Sequence, residues 1–222
     1  RWLSGRAKKS YLLRGKAVLS IPNPIDTKVY HPMDQGMARE LLGLPSGKRL
    51  LLFGALNVTD KRKGIDYLIE ALRRMEKQDV ELVVFGQVKD DIRGVFPVPI
   101  HSMGYLSDES KIVALYNAVD MFITSSLEEN LPNTIMESMA CGTPCVGFEI
   151  GGIPEMIDHR VNGYVANYKD AGDLANGIQW VLEHEDRLAL SDACVKKVQE
   201  NYTEEVVAKQ YTALYEKLLK GE

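Results

Sequence analysis

Four short apolar runs, each followed by a segment of helical period, constrain the fold of this chain more than any other feature. The runs occupy residues 49–54, 81–86, 120–124 and 144–148. Their residues are apolar at successive positions, as they must be in strands that are covered by helices on both faces. The alternation of such runs with helical segments predicts an α/β chain with a doubly wound parallel sheet.

Weaker strand patterns lie at residues 99–104 and 163–166, and Ser107 is the predicted N-cap of a helix that has Asp108 and Glu109 in its first turn. Ligands of such sheets bind beyond the carboxyl ends of the strands, so the loops there should carry the functional residues. The apolar positions that share one face of each predicted helix are Ile65, Leu68, Ile69 and Leu72; Ile112, Leu115, Tyr116 and Val119; Leu174, Ile178, Val181 and Leu182; and Val207, Tyr211, Leu214, Tyr215 and Leu218.

Composition is that of an ordinary globular protein, with 45% hydrophobic and 26% charged residues in a chain of 222. The net charge of -4 offers no basic footprint for nucleic acid, so we expect no nucleic-acid partner. No secretory leader and no apolar run of the roughly 20 residues needed to cross a membrane are recognised, and we expect a cytoplasmic protein. Cys141, Cys145 and Cys194 lack His at zinc spacing and are expected to be buried thiols in a reducing compartment.

The first residues of the chain are strongly basic. Residues 1–16 include six basic side chains and no acidic one, and the chain opens without an initiator Met. An expression fragment, a basic edge facing an anionic surface and a solvated helix all fit this pattern. We favour the fragment and keep the basic surface as the second interpretation.

Two carboxylates, Glu129 and Glu137, follow the 120–124 run and are eight residues apart. The residues Pro132–Thr134 between them can begin a helix whose free N–H groups suit a phosphate. Glu137, one turn inside that helix, could accept hydrogen bonds from the vicinal hydroxyls of a ribose, and Glu129 would reach toward the group that the phosphate carries. A solvated loop acid and an acid that balances the helix dipole are the simpler alternatives. Glu137 lies among apolar residues, however, and a buried acid needs a partner.

Three consecutive cations, Lys61, Arg62 and Lys63, precede a predicted helix. Positive charge is unfavourable at the start of a helix, which favours an anion ligand over a solvated charge cluster. Gly86, at the end of a predicted strand, would allow close approach by a ligand or serve a plain turn. Gly151 and Gly152 form either a turn before Pro154 or a loop that faces a ligand.

The pattern Glu129, seven residues, Glu137, followed by SMACGTPCVGFEIGGIPEMI and NGYV, resembles the donor-binding half of retaining glycosyltransferases of the GT-B fold, specifically glycosyltransferase family 4. The resemblance extends in the same order over IPNPID at 21–26, FGALNVTDKRKGIDYLIEAL at 53–72 and VVFG at 83–86. A lone Glu-x7-Glu pattern would be weak, and the accompanying segments make it specific.

This resemblance implies the Rossmann-like C-terminal half of a GT-B fold. Residues 1–20 would end an N-terminal domain or form an interdomain segment, and residues 21–222 would be the nucleotide-sugar donor-binding domain. The implied activity is transfer of a sugar from a UDP-sugar or GDP-sugar to a glycan or lipid-linked acceptor in surface polysaccharide biosynthesis, without metal or cofactor. A chain without its acceptor domain would bind the donor but transfer poorly alone. The full-length protein could contact the inner face of the membrane peripherally.

The resemblance also assigns roles to individual residues. Lys63 would hold the diphosphate and Glu129 would contact the transferred sugar, as the two catalytic residues, and Glu137 would bind the ribose. In this family sugar transfer with retention is thought to proceed by front-face attack, so no residue is a covalent nucleophile. His101 is expected to pack near the base. The further substrate-binding residues implied or inferred are Arg62, Gly86, Met103, Gly104, Tyr105, Asn130, Leu131, Pro132, Asn133 and Thr134.

One position departs from the family pattern. Many relatives have Gly-Arg after the first strand, and here Gly54 is followed by Ala55, so that Arg62 or Lys61 would have to supply the second cation. This departure gives weight to a non-catalytic nucleotide-binding module of the same fold. A hexose-phosphate or epimerase-type enzyme on a similar fold is the third hypothesis.

Overall fold

The computed structural model describes residues 1–57, 60–75, 79–87 and 94–221. Within these residues six strands form one parallel sheet in the order β3-β2-β1-β4-β5-β6. The strands are β1 (Arg49–Asn57), β2 (Val80–Gln87), β3 (Ile100–Gly104), β4 (Met121–Thr124), β5 (Cys145–Phe148) and β6 (Gly163–Ala166). The helices are α1 (Trp2–Lys8), α2 (Gln35–Leu42), α3 (Ile65–Arg74), α4 (Glu109–Ala118), α5 (Asn133–Ala140), α6 (Ile153–Met156), α7 (Ala171–Leu182), α8 (Arg187–Asn201) and α9 (Glu204–Leu219), with a 3-10 turn at Lys61–Lys63.

The strand order confirms the predicted doubly wound α/β fold. The chain proceeds outward from β1 through β2 to β3, returns to the middle of the sheet, and then proceeds outward through β4, β5 and β6 on the other side. All five strand pairings are parallel. The direction of winding therefore reverses between β1 and β4, and loops that leave these two strands diverge to form a crevice at the carboxyl edge.

Two apolar layers cover the two faces of the sheet. Leu50 and Leu52 of β1 belong to the layer that includes residues of α2, α4, α5 and α8. Leu51 and Phe53 belong to the opposite layer, which includes residues of α3 and α7. Alternate residues of a strand point to opposite faces, so an uninterrupted apolar strand serves both layers. Burial of each such side chain contributes about 1.5–3 kcal/mol, and the sheet is the centre of the core.

Most predicted helical stripes pack as expected, and two details differ. The N-cap of α4 is Asp108 rather than Ser107, because the backbone of Asp108 is still extended and its carboxylate accepts the N–H of Ser110 at 3.0 Å. A carboxylate cap one residue later therefore replaces the expected hydroxyl. The last stripe forms helix α9, but only its first residue, Val207, is buried.

Asp120, immediately before β4, organises the amino edge of the sheet. Its carboxylate accepts the backbone N–H of Leu50 at 2.7 Å and the guanidinium group of Arg39 at 3.1 Å. Arg187 also donates to it, and Arg49 lies 3.5 Å away. The Asp120 side chain is only 2% exposed, and burial raises its pKa, while the Leu50 N–H and the neighbouring arginines act in the opposite direction.

The three cysteines are free and buried, as predicted. No helix in the described part of the chain is long and apolar enough to cross a membrane.

Candidate functional site

The turn Lys61–Lys63 is held closely against the loop that follows β4. Asp60 accepts the N–H of Arg62 at 2.9 Å and caps the turn, and Gly64 ends it with φ of 63°. A Cβ atom at Gly64 would lie 1.9 Å from the carbonyl oxygen of Ser125. Only glycine permits both this backbone conformation and this approach, so the Lys-Gly pair of the sequence has a structural reason.

Two hydrogen bonds complete the contact between these segments. The hydroxyl of Ser125 donates to the carbonyl oxygen of Lys63 at 2.9 Å, and the N–H of Leu127 donates to the carbonyl oxygen of Arg62 at 2.7 Å. The backbone of Lys63 is thereby fixed relative to the β4 loop. Its side chain extends to Glu129, with Nζ and Oε1 2.5 Å apart.

The Lys63–Glu129 pair brings together the two residues that the sequence analysis assigns as catalytic. The Lys63 side chain is 33% exposed and the Glu129 side chain 15%, so the pair is sheltered but open on one side. The ammonium group is already neutralised by the carboxylate. An anionic ligand that reaches Lys63 would have to compete with Glu129 for it.

Gly151 and Gly152 support the loop that carries Glu129. A Cβ at Gly151, where φ is 60°, would lie 1.9 Å from the carbonyl oxygen of Glu129, and one at Gly152 would lie 2.2 Å from that of Asn130. The N–H of Gly152 donates to the carbonyl oxygen of Asn130 at 2.5 Å. These glycines form a tight turn whose closeness to the Glu129 loop excludes any side chain.

Helix α5 begins at the carboxyl edge next to this loop. Its N-cap is Pro132, which provides no side-chain hydrogen bond. Among the described residues, the N–H groups of Asn133 and Thr134 donate to no protein acceptor, whereas that of Ile135 donates to the carbonyl oxygen of Pro132. The start of α5 therefore presents free donors and a positive end of the helix dipole, which together suit an anion.

Glu137 lies on the second turn of α5, and its Oε2 accepts the hydroxyl of Tyr116 at 2.8 Å. Burial raises the pKa of the Glu137 carboxyl; the Tyr116 hydrogen bond acts in the opposite direction, and the charge of Glu109 adds to the increase. Burial and the charge of Glu137 together hold the pKa of Tyr116 well above its ordinary value. Glu137 is thus the partly buried acid that the sequence predicted, and its partner is a neutral hydroxyl.

Sequence reasoning missed Tyr116 as a member of the site, because it counted the residue only as part of an apolar helical stripe. The side chain is 1% exposed. A buried tyrosine hydroxyl normally has a hydrogen-bond partner, so a Tyr within such a stripe was itself the signal.

The other two predicted cations are directed elsewhere. The guanidinium group of Arg62 pairs with Asp60 at 2.7 Å and is 70% exposed, and Lys61 is also exposed. The side chain of Ala55 and the loop residues 58–59 lie outside the described residues. The identity of a second cation for the site stays a prediction.

The residues predicted near a base lie at the carboxyl ends of β2 and β3. Gly86 is buried with φ of 121°, and Gly104 has φ of 64° and open space where a Cβ would be. Met103 packs against the core, and Tyr105 is 64% exposed. The structure therefore places these four on the same edge of the sheet as Lys63 and Glu129.

His101 is the second residue of β3, and its expected packing near the base stays a prediction. Its Nε2 lies 2.6 Å from Oε2 of Glu81, the second residue of β2. Glu81 belongs to the amino half of its strand, where Lys48 is also 3.9 Å away. The imidazole therefore contacts a carboxylate on the neighbouring strand.

One described cavity of about 400 Å³ adjoins the site on the side of Asn130 and Leu131. Gly152, Glu155 and Tyr202 also line it. Within the described ranges, no three His, Cys, Asp or Glu side chains are grouped so that they could hold a metal ion. Independence from metals stays a prediction.

Comparison with known proteins connects this site to one family. The family model described as glycosyl transferases group 1 matches residues 47–184. The N-acetyl-alpha-D-glucosaminyl L-malate synthase of Bacillus anthracis is 24% identical over 213 residues, which are 93% of this chain and 55% of that protein. The chain spans about half the length of the curated relatives it matches.

Solved structures give the same result for the fold. A glycosyltransferase from Rickettsia africae superposes with a TM-score of 0.84 at 21% identity, covering 100% of this chain and 62% of its own. Anabaena Alr3699/HepE, solved in complex with UDP-glucose, superposes with a TM-score of 0.76 at 21% identity, covering 91% of this chain and 58% of its own.

Proposed function

This chain belongs to the glycosyl transferases group 1 family, and from that membership we propose that it is the donor-binding domain of a retaining glycosyltransferase of family 4. The donor is a nucleotide-diphosphate sugar, a UDP-sugar or GDP-sugar. The acceptor is a glycan or a lipid-linked glycan in surface polysaccharide biosynthesis. Residues 21–222 form the donor-binding domain, and residues 1–20 end an N-terminal domain or connect to it.

One observation carries this proposal: Lys63 pairs with Glu129 in the loop that leads into α5, a helix that begins with free N–H groups and carries Glu137. Lys63 lies 2.5 Å from Glu129, and the start of α5 separates Glu129 from Glu137 along the chain. A diphosphate needs positive potential and N–H donors, and the sugars at its two ends need hydroxyl acceptors. Lys63 would provide the positive potential, the start of α5 the N–H donors, and Glu129 and Glu137 the hydroxyl acceptors.

In the proposed mechanism, Lys63 and the N–H groups at the start of α5 stabilise the negative charge that develops on the leaving diphosphate. The backbone of residues 130–134 completes that diphosphate site. Glu129 orients the transferred sugar, and attack on it occurs from the front face without a covalent nucleophile. The reaction therefore differs from that of glycosidases, in which paired carboxylates act as acid and base or nucleophile.

The nucleoside would extend from Glu137, which accepts the ribose hydroxyls, toward the ends of β2 and β3. Gly86 permits close approach there, and the backbone of residues 103–105 would contact the base. Arg62 would join Lys63 on the diphosphate after release from Asp60. Each of these assignments is a proposal that rests on the common edge that the residues share.

The chain is proposed to bind its donor but to transfer sugar poorly by itself. The span of about half the length of the curated relatives that it matches supports this proposal. The proposed location is cytoplasmic, with peripheral contact of the full-length protein at the inner face of the membrane. No metal is required in this mechanism.

Titration calorimetry of the chain with UDP, GDP and ADP tests the proposal. We expect one nucleoside diphosphate to bind with one site per chain, and the corresponding nucleoside monophosphate to bind more weakly because it lacks one phosphate. If the folded chain binds none of the three diphosphates, the donor-domain proposal fails.

The second candidate is a non-catalytic nucleotide-binding module. The observation that favours it is the pairing of Lys63 with Glu129, which neutralises the cation assigned to the leaving group. A full-length protein that binds a UDP-sugar without consuming it in the presence of acceptor would support the module. Consumption of donor that is lost in Lys63→Ala supports the enzyme.

A further inference from the structure

The carboxylate of Glu137 is held from one side only. Its Oε2 accepts the Tyr116 hydroxyl at 2.8 Å, and among the described residues no donor contacts Oε1. Within the same residues, no fully buried side-chain oxygen lacks a hydrogen-bond partner. Oε1 is therefore not fully buried, and among the described residues only Oε2 of this carboxylate is held by a protein donor.

The Tyr116 ring has almost no freedom to move. It makes edge-to-face contacts with Phe85, at 6.3 Å between centroids, and with Phe122, at 6.0 Å. The hydroxyl of Thr143 donates to the carbonyl oxygen of Tyr116 at 2.7 Å. Because the ring and its backbone are both fixed by buried neighbours, the direction of the hydroxyl is fixed as well.

We propose that Tyr116 is a positioning residue that orients Glu137 toward the ribose and thereby sets the preference of the site for ribonucleotides over deoxyribonucleotides. This inference rests on the proposed function. Two vicinal hydroxyls can donate to one carboxylate only when its plane and its free oxygen have a definite direction. The Tyr116 hydroxyl provides that direction from the core, without touching the ligand.

The Tyr116 hydroxyl also affects the charge of Glu137, because the other groups around this carboxylate do not stabilise its ionised form. Glu109 and Tyr116 lie on α4, Cys141 follows α5, and Tyr30 precedes α2. Burial, followed by the charge of Glu137, raises the pKa of the Cys141 thiol to about 12, and the same two causes raise that of Tyr30. Both are neutral at pH 7, and Glu109 is an acid, so none of these groups offsets the charge of Glu137. The Tyr116 hydrogen bond is the contact that favours the ionised carboxylate.

The test compares Tyr116→Phe with the wild type by calorimetry, using UDP, GDP and their 2′-deoxy and 3′-deoxy analogues. We expect the affinity for the ribonucleotide to fall about tenfold, because Glu137 loses its only protein donor among the described residues. The affinity for the deoxy analogue should fall much less, so the ratio of ribonucleotide affinity to deoxyribonucleotide affinity falls toward one. A merely structural role of Tyr116 would weaken both ligands equally.

Tyr164→Phe is the matched control. Its hydroxyl donates to Asp173 at 2.8 Å, so the change removes an equivalent tyrosine–carboxylate bond that does not involve α5. We expect this variant to keep the wild-type preference for the ribonucleotide. A loss of preference in both variants, or in neither, overturns the inference.

A titration of the Glu137 carboxyl by carbon-13 NMR gives a readout that needs no nucleotide, with Glu137→Gln to assign its signal. In Tyr116→Phe the pKa of this carboxyl should rise. On acidification, the affinity for the ribonucleotide should therefore fall at a higher pH than in the wild type. Replacement of Tyr116 by 3-fluorotyrosine strengthens the donor at almost constant shape, and should lower that pKa. An unchanged pKa in both variants overturns the inference.

These readouts separate the two proposals. If the wild-type chain binds no nucleotide, the proposed donor function fails, and the carboxyl titration still decides whether Tyr116 controls Glu137. If the wild type binds and Tyr116→Phe keeps its preference for the ribonucleotide, only the inference about Tyr116 fails.

Discussion

Two acids flank strand β4, and they are stabilised in opposite ways. Asp120, just before the strand at the amino edge, accepts from one backbone N–H and is surrounded by three arginines. Glu137, on the helix that follows the strand at the carboxyl edge, has one neutral hydroxyl and an acid nearby. Asp120 is buried and Glu137 is partly buried, and of the two only Asp120 has cationic partners among the described residues.

The difference separates a structural acid from a ligand-binding one. A buried charge is tolerated when partners are present in the fold, and it is costly when they are absent. Burial raises the pKa of both carboxyls, but Asp120 is engaged by a backbone N–H and three arginines, whereas Oε1 of Glu137 has no donor among the described residues. A partly buried acid without a cationic partner, at the edge where strands end, is a functional candidate for this reason.

The largest effect is expected at the amino edge. Asp120→Ala leaves the buried guanidinium group of Arg39 without its carboxylate and should lower the free energy of unfolding by about 3–5 kcal/mol, measured by urea denaturation. Asp79→Ala is the control, because Asp79 is 71% exposed and pairs only with Lys48 among the described residues. Equal stability of both variants would remove the distinction between the two edges.

At the carboxyl edge we expect a large loss of ligand affinity with little change in stability. Glu137→Ala should lower the affinity for the nucleoside diphosphate about 100-fold or more, because hydrogen bonds between the ribose and a charged acceptor are lost. The melting temperature should change much less, since the variant also removes an uncompensated charge. If stability collapses and affinity survives, Glu137 is structural like Asp120.

A smaller loss of affinity is expected at Lys63. Lys63→Ala should weaken nucleoside diphosphate binding about 10- to 30-fold and leave nucleoside binding nearly unchanged, because the ammonium group contacts only the phosphates. Lys209→Ala, at an exposed lysine of α9 that has no role in the proposed site, is the matched control. Equal losses for diphosphate and nucleoside in Lys63→Ala would contradict the assigned role.

The smallest effect is expected at Glu129, and it has the opposite sign. Glu129→Gln frees Lys63 from its ion pair and removes a negative charge near the diphosphate, so UDP should bind about threefold more tightly. A UDP-sugar should gain less, because it loses the contact of its sugar with the carboxylate. Calorimetry with both ligands measures the difference, and weaker UDP binding would show that the Lys63–Glu129 pair does not compete with the diphosphate.

Most of the fold was predictable because strand and helix periods are local. The runs at 49–54 and 120–124 predict buried strands; the first forms the first six residues of β1, and the second contains the whole of β4. The cap of α4 was misplaced by one residue, since Ser107 and Asp108 are both good caps and only backbone geometry distinguishes them.

The site was predictable in part, and what was missed depends on contacts between distant residues. The carboxyl-edge rule places Lys63 and Glu129 in neighbouring loops, although 66 residues separate them. The three arginines around Asp120 come from different segments, and no local pattern connects them. The contact of His101 with Glu81 was missed for the same reason, because Glu81 lies on the adjacent strand.

The glycine contacts at the β4 loop have a consequence for engineering. Gly64 contacts the backbone of Ser125, and Gly151 contacts that of Glu129. Neighbouring turns therefore pack against both ends of the five-residue stretch 125–129. Inserting or deleting a residue in this stretch would disrupt one of the two glycine contacts. A library intended to alter donor choice should therefore keep the loop length constant. Randomisation is best directed to side chains that point outward, such as Glu128.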